Sequence, residues 1–126
     1  QRQKDKEGYP NLWDVSAAGS ALAGENSAAA ASRELREELG LVHDFTKERP
    51  FLTTHFERGF DDWYFIRIEA NINDLRLQPE EVQDARWADL AEIERMLDSG
   101  EMVPYYRDLV RLWFAMKDHR GSTTHE

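Results

Sequence analysis

Apolar and polar positions follow two rhythms along this chain. Between Ser27 and Leu39, the residues Ala28, Ala31, Leu35 and Leu39 recur at intervals of three and four, the spacing that lays one apolar stripe along a helix. The positions between are filled by Ala, Glu and Arg, strong helix formers, and Gly40 stands where a left-handed cap would end the helix. A second helical stretch runs from Ala88 to Leu97 and stops at Gly100. Pro104 opens a third, Tyr105 to Lys117, with Leu109, Leu112, Trp113 and Met116 on one face. Four apolar, β-compatible stretches read as strands: Leu12–Ala18, Phe51–Glu57, Trp63–Ile72 and Ala85–Trp87. The segment ERGFDD, with Gly59 and two aspartates, reads as the turn between the second and third. Strands and helices mix without strict alternation, so the expected class is α/β, a mixed sheet sandwiched between helices. The polar ends, 1–10 and 118–126, read as the tail of an element running into a loop and as a frayed terminus.

Length and composition narrow this picture. The 126 residues suit one domain, 1–126, with one core. Hydrophobic residues make up 40% and charged residues 33%, a globular balance, and no apolar run is long enough to span a bilayer, so no membrane partner is expected. The charge of −9 argues against a surface for duplex nucleic acid, and an anionic substrate would need a local source of positive charge. Cysteine is absent, which removes disulfides, thiolate metal sites and cysteine nucleophiles, and points to a reducing, cytoplasmic setting. The chain opens on Gln1 with no signal-peptide pattern.

The first helix carries the chemistry. Glu34, Glu37 and Glu38 stand at i, i+3 and i+4, so three carboxylates converge on one helix face. A solvated acidic face relieved by Arg33 and Arg36 is the ordinary explanation; a site for a hard cation with oxygen ligands is the alternative. The surrounding frame favours the second. Gly19 is followed by five residues, Glu25, seven residues, Arg33-Glu34-Leu35, one residue, Glu37-Glu38, one residue, and Gly40-Leu41. This resembles the Nudix box, Gx5Ex7REUxEExGU with U aliphatic, at every specified position from 19 to 41. Apart from the resemblance, Gly19 permits a close approach of loop backbone, Leu35, Leu39 and Leu41 anchor the helix, and Glu25 and Glu37 are within reach of Arg33.

The resemblance implies a Nudix fold and a hydrolase that cleaves a nucleoside diphosphate linked to another group X. Its cofactor would be Mg2+ or Mn2+, roughly one to three ions that activate the attacking water. By motif position Glu34 and Glu38 are the main implied ligands, Glu37 an additional one, and the backbone carbonyl of Ala18 beside Gly19 a further one. Arg33 and Glu25 are implied orienting residues. The general base is expected on a later carboxylate, Glu81 in QPEEV before Glu80, Glu57, Asp61 and Asp62.

Aromatics on the strands, Trp13, Phe51, Trp63, Tyr64 and Trp87, are expected to pack in the core, and Phe60 in the turn could stack on a base. His43 and His55 read as surface or structural residues, and Arg2, Lys4, Lys6, Arg49 and Arg58 as basic residues within possible reach of a distal phosphate.

WDVSAAG before the box and EEVxxxxW after it extend the similarity over most of the chain. The box begins nearer the start than is usual in the family, so N-terminal strands of the sheet are expected to be missing, and a sheet edge left open would need a neighbouring subunit, a homodimer. The flank WDVSAAGSALAGE is similar to the subgroup holding isopentenyl-diphosphate isomerases, whose cysteine and histidine positions correspond here to Ala18 and Ser20. Hydrolysis is therefore favoured over isomerisation. A non-catalytic binding module, which would go with a degraded box, is the remaining alternative.

Overall fold

The structure, a computed structural model, describes residues 1–124. The last two positions of the expected frayed tail, 125 and 126, lie outside the described residues. In chain order the elements are helix α1 (Ser27–Leu39), strands β1 (Leu52–Phe56) and β2 (Gly59–Trp63), a 3-10 turn at Ile72–Asp74, and helices α2 (Leu90–Ser99) and α3 (Arg107–Met116).

Helix α1 falls on its expected bounds. Asn26 is its N-cap, the side chain accepting from Ala29 N–H, and Gly40 closes it at φ 71° with its N–H donated to Arg36. Ala28, Leu35 and Leu39 are buried as the spacing predicts, and Ala30 and Glu38 join them. Ala28, Leu35 and Leu39 form with Phe45 the core that Tyr64, Ile66, Leu75 and Val82 complete from other segments. The helix is tied at both ends. Near its start Ser27 Oγ donates to Asp62 across 2.6 Å, and at its end the carbonyls of Glu38 and Leu39 accept the N–H groups of Gln78 and Arg76, each at 3.0 Å. Helix carbonyls left open by the last turn are thus satisfied by the segment that leads to Glu81.

The hairpin departs from expectation. β1 and β2 pair antiparallel, Leu52 facing Trp63 and Phe56 facing Gly59, so most of the stretch read as a turn is strand, and residues 64–71 carry no regular structure. Thr53 Oγ1 donates to Asp62 at 2.6 Å and Trp63 Nε1 to Thr54 Oγ1 at 2.9 Å, cross-strand bonds that outweigh the turn propensity of Gly59 and the aspartates. Leu12–Ala18 and Ala85–Trp87 are likewise not ladders, and the two strands form the only sheet among the described residues. The mixed sheet is represented by isolated bridges, Arg2 antiparallel to Val82 and Trp13 parallel to Met102. Arg2 N–H also bonds Leu12 O at 2.9 Å. Four extended segments therefore lie side by side in the order 81–83, 1–3, 12–13 and 101–103, and the architecture stays in the α/β class.

Helix α2 begins at Leu90 because Asp89 caps it, accepting from Glu92 N–H, and Gly100 ends it. Helix α3 begins at Arg107, after Pro104 rather than on it, and the face it buries centres on Val110 and Trp113 while Leu112 is exposed. Trp113 packs on Trp63 and Tyr105, with ring centroids 4.7 and 5.2 Å away. No helix among the described residues is long and apolar enough to cross a membrane.

A candidate active site beside the first helix

The box glutamates part company on the helix. Glu38 turns inward and is buried, its Oε2 accepting the Ala18 N–H at 3.0 Å. Glu34 and Glu37 turn instead to Arg33, whose Nη1 donates to both at 2.8 and 3.1 Å. The three carboxylates thus do not share one face as their spacing suggests. Arg33 also donates through Nε to Glu25 at 2.8 Å and through Nη2 to Ser20 O at 3.2 Å. One guanidinium therefore holds the loop, its acidic residue and two helix carboxylates, and the Glu25 bond pushes Arg33 further above its already high range. Arg33 and Glu25 are paired, as their reach in the sequence suggests.

Gly19 lies directly against Glu34. A Cβ at position 19 would stand 2.3 Å from the Glu34 carboxyl, so glycine lets this loop backbone pass over the acid with Glu34 in its present place. The Ala18 carbonyl has no protein partner among the described residues.

Glu38 opens onto a cleft of about 140 Å3 that Asp14 and Glu81 also line. Burial, then the charges of Glu34, Glu81 and Asp14, push its carboxyl up to about 7 against the opposing Ala18 hydrogen bond. The carboxylates come from different places: Glu38 from the end of α1, Glu81 from the segment beyond Gln78, and Asp14 from the bridged stretch at Trp13. Of the later carboxylates expected from the sequence, Glu81 lines the cleft, and Asp84, not among them, lines it as well. Glu80 is exposed, and Asp62 is engaged with Ser27 and Thr53.

Cations border the same cleft. Arg2 lines it and donates to Asp14 at 3.3 Å, Lys6 is paired with Glu81, and Arg86 lies 4.5 Å over the Trp13 ring. Sequence reading passed over Asp14, although a carboxylate between Trp13 and Val15 in an apolar run was a signal of buried charge. Asp14 also accepts from Tyr105 Oη, a contact no spacing reveals. Burial, and that carboxylate, raise the Tyr105 phenol far above its usual value. Trp87 is not a core residue: it is 65% exposed and lines the cleft. Phe60 sits in β2 with its ring 6.1 Å from His55, and neither residue lines the cleft.

The donor set suits a hard divalent cation in chemistry: oxygens only, with a buried carboxylate set against other carboxylates, the condition a bound cation relieves. Among the described residues no three acidic or histidine side chains already converge on one point, because Arg33 holds Glu34. Binding would require Glu34 to exchange that bond.

Comparison with known proteins gives a consistent result. The NUDIX domain family matches residues 1–111. An uncharacterized Nudix hydrolase of Listeria monocytogenes is 54% identical over 106 residues, covering 84% of this chain and 63% of its own length. One from Pseudomonas aeruginosa is 34% identical over 113 residues, covering 86% of this chain and 62% of its own. Isopentenyl-diphosphate Delta-isomerase 2 of Aromatoleum aromaticum is 34% identical over 85 residues, or 65% of this chain and 45% of its own. The chain thus spans less than two thirds of each of these relatives. No solved structure matches it significantly.

Proposed function

The chain belongs to the Nudix family, and from that premise we propose that it hydrolyses a diphosphate linkage in a nucleoside diphosphate-X or a related organic pyrophosphate. The observation that carries the reading is the buried Glu38 carboxylate, bonded to Ala18 N–H and facing Asp14 and Glu81 across one cleft. A cleft walled by acids and bordered by arginines takes a polyanion only if cations sit between the two.

Glu38, Glu34 and the Ala18 carbonyl would hold Mg2+ or Mn2+, with Glu37 in reserve. The ion would supply Lewis-acid stabilisation of charge on the phosphoryl oxygens. Arg33 keeps Glu34 and Glu37 in reach and the loop at Ser20 in place. Arg2 and Arg86 meet non-bridging phosphate oxygens and orient the diphosphate. A Glu81 oxygen takes the proton of the attacking water, and Lys6, its present partner, moves to the substrate as the phosphate enters. Phosphorus is attacked by that water, the diphosphate P–O bond breaks, and the second phosphate leaves.

The isomerase reading finds little here: a thiol donor is missing from all 126 residues. The intact box also weighs against a binding module without turnover.

The test is a panel of nucleotide sugars, dinucleotides, nucleoside triphosphates and isoprenyl diphosphates with Mg2+ or Mn2+. Cleavage of at least one member is expected, with Glu38→Gln slower by about a hundredfold or more. An untouched panel defeats the proposal, and interconversion of isopentenyl and dimethylallyl diphosphate would replace it.

A further inference from the structure

We propose that Trp87 is a stacking platform for a planar ring of the substrate, so that the preferred X-linked diphosphates carry an aromatic group such as a nucleobase at that end. The proposal rests on the hydrolase reading above and adds a specificity residue to it. Its first support is size. The cleft holds about 140 Å3, below the roughly 300–1,000 Å3 of a site that encloses a whole organic ligand. It can enclose the charged end of a substrate, and the organic remainder must lie along its wall and mouth.

The second support is what that wall offers. Two tryptophans line the cleft, Trp13 and Trp87. One face of Trp13 is already covered by the Arg86 guanidinium, 4.5 Å from the ring centroid. Trp87 is 65% exposed, and among the described residues no ring or cation stacks on it. Its backbone is nonetheless well placed: Asp84 accepts from Ala85 N–H just before it, and Asp89 caps α2 just after it. A large, pre-positioned indole on the wall of an acid-lined cleft is the standard physical means of gripping a flat ring without reading its edge. Ile72 and Leu75 are also on the cleft wall, which is therefore partly apolar.

Three variants separate stacking from mere apolar contact: Trp87→Phe, Trp87→Leu and Trp87→Ala, compared on a nucleoside diphosphate-linked substrate and on an alkyl diphosphate. The position is exposed, so folding should survive, and circular dichroism checks it. For the nucleoside substrate, KM should rise roughly five- to a hundredfold in the Leu and Ala variants with kcat little changed, and the Phe variant should recover most of the loss. The loss should fall more heavily on the nucleoside substrate than on the alkyl one. A Leu variant as good as the Phe variant, or an equal loss on both substrates, overturns the proposal. A binding measurement with a nucleoside α,β-methylene diphosphate needs no turnover: wild type should bind it and Trp87→Leu bind it more weakly. If wild type cleaves no diphosphate, the hydrolase reading falls while this titration still decides the role of Trp87, and equal binding by wild type and Trp87→Leu rejects that role outright.

Discussion

Glu38 is the residue whose environment disagrees most with its chemistry. It is buried beside Asp14 and Glu81, and burial lifts its carboxyl from 4.5 to about 7. The native state therefore holds a proton that the unfolded chain releases at lower pH. The sign follows directly: this contribution to stability is full below about pH 4.5 and is lost as pH rises through 7. The loss amounts to about 3 kcal/mol at most. Glu38→Gln keeps an acceptor for Ala18 N–H and removes the charge, so without divalent ions it should be more stable than wild type at pH 8 by about 2–3 kcal/mol and equal to it near pH 4.5. Urea denaturation at the two pH values reads this. Mg2+ or Mn2+ should then stabilise wild type at pH 8 and leave the variant unmoved; a wild type indifferent to both pH and metal contradicts the account.

At the scale of elements, the loop and helix that form the box contain two glycines needed for different reasons. Gly19 is constrained by space: an added Cβ meets the carboxyl end of Glu34, a flexible tip that can swing aside. Gly40 is constrained by its backbone, at φ 71°, and an added Cβ would lie 2.9 Å from Arg76 Cβ. Gly19→Ala should accordingly leave the melting temperature nearly unchanged and, on the proposed function, cut kcat by roughly tenfold or more, because it displaces the Glu34 carboxyl proposed to hold the metal. Gly40→Ala should cost about 1–2 kcal/mol of stability by forcing a side chain into the left-handed region. Reversal of the two patterns in paired melting and activity measurements would refute this assignment. This unit was the most legible part of the sequence, since α1 is set by local spacing, an N-cap at Asn26 and a C-cap at Gly40. Glu25, Arg33 and Glu37 meet because four-residue and loop spacings bring them together. The first strand and the start of the turn were legible, whereas the second strand begins at Gly59 and ends at Trp63 because cross-strand bonds involving Thr53, Thr54, Asp62 and Trp63 act over a distance that no local window contains. Asp14, Glu81 and Trp87 reach one cleft through bridges between remote segments, which leave no periodicity behind.

On the scale of the whole molecule, two parts meet: the cleft, walled by the end of α1, the 13–16 stretch and the 81–87 segment, and the C-terminal helices with the 101–103 segment. Tyr105 joins the two parts, its hydroxyl on Asp14 and its ring on Trp113 and Trp63. Tyr105→Phe keeps the ring and removes the donor, so it should destabilise by about 1–2 kcal/mol while Trp113 packing persists. The proposed diphosphate hydrolysis should weaken with it, since Asp14 is left with Arg2 and the Val15 N–H as partners. A variant unchanged in both denaturation midpoint and activity would show that the contact couples nothing. The four extended segments at 81–83, 1–3, 12–13 and 101–103 touch through single bridges rather than ladders. The contacts of 1–3 with 81–83 and of 12–13 with 101–103 each close a long loop for few bonds, a cost in entropy that they offset only together with the packed core. Helix α1 is specified by its own residues, yet Glu38 has Asp14 and Glu81 as neighbours only when the remote segments that carry them are docked. A chain in which those segments are undocked therefore carries the complete box without the cleft, so the proposed activity would report on global folding as well as on the box.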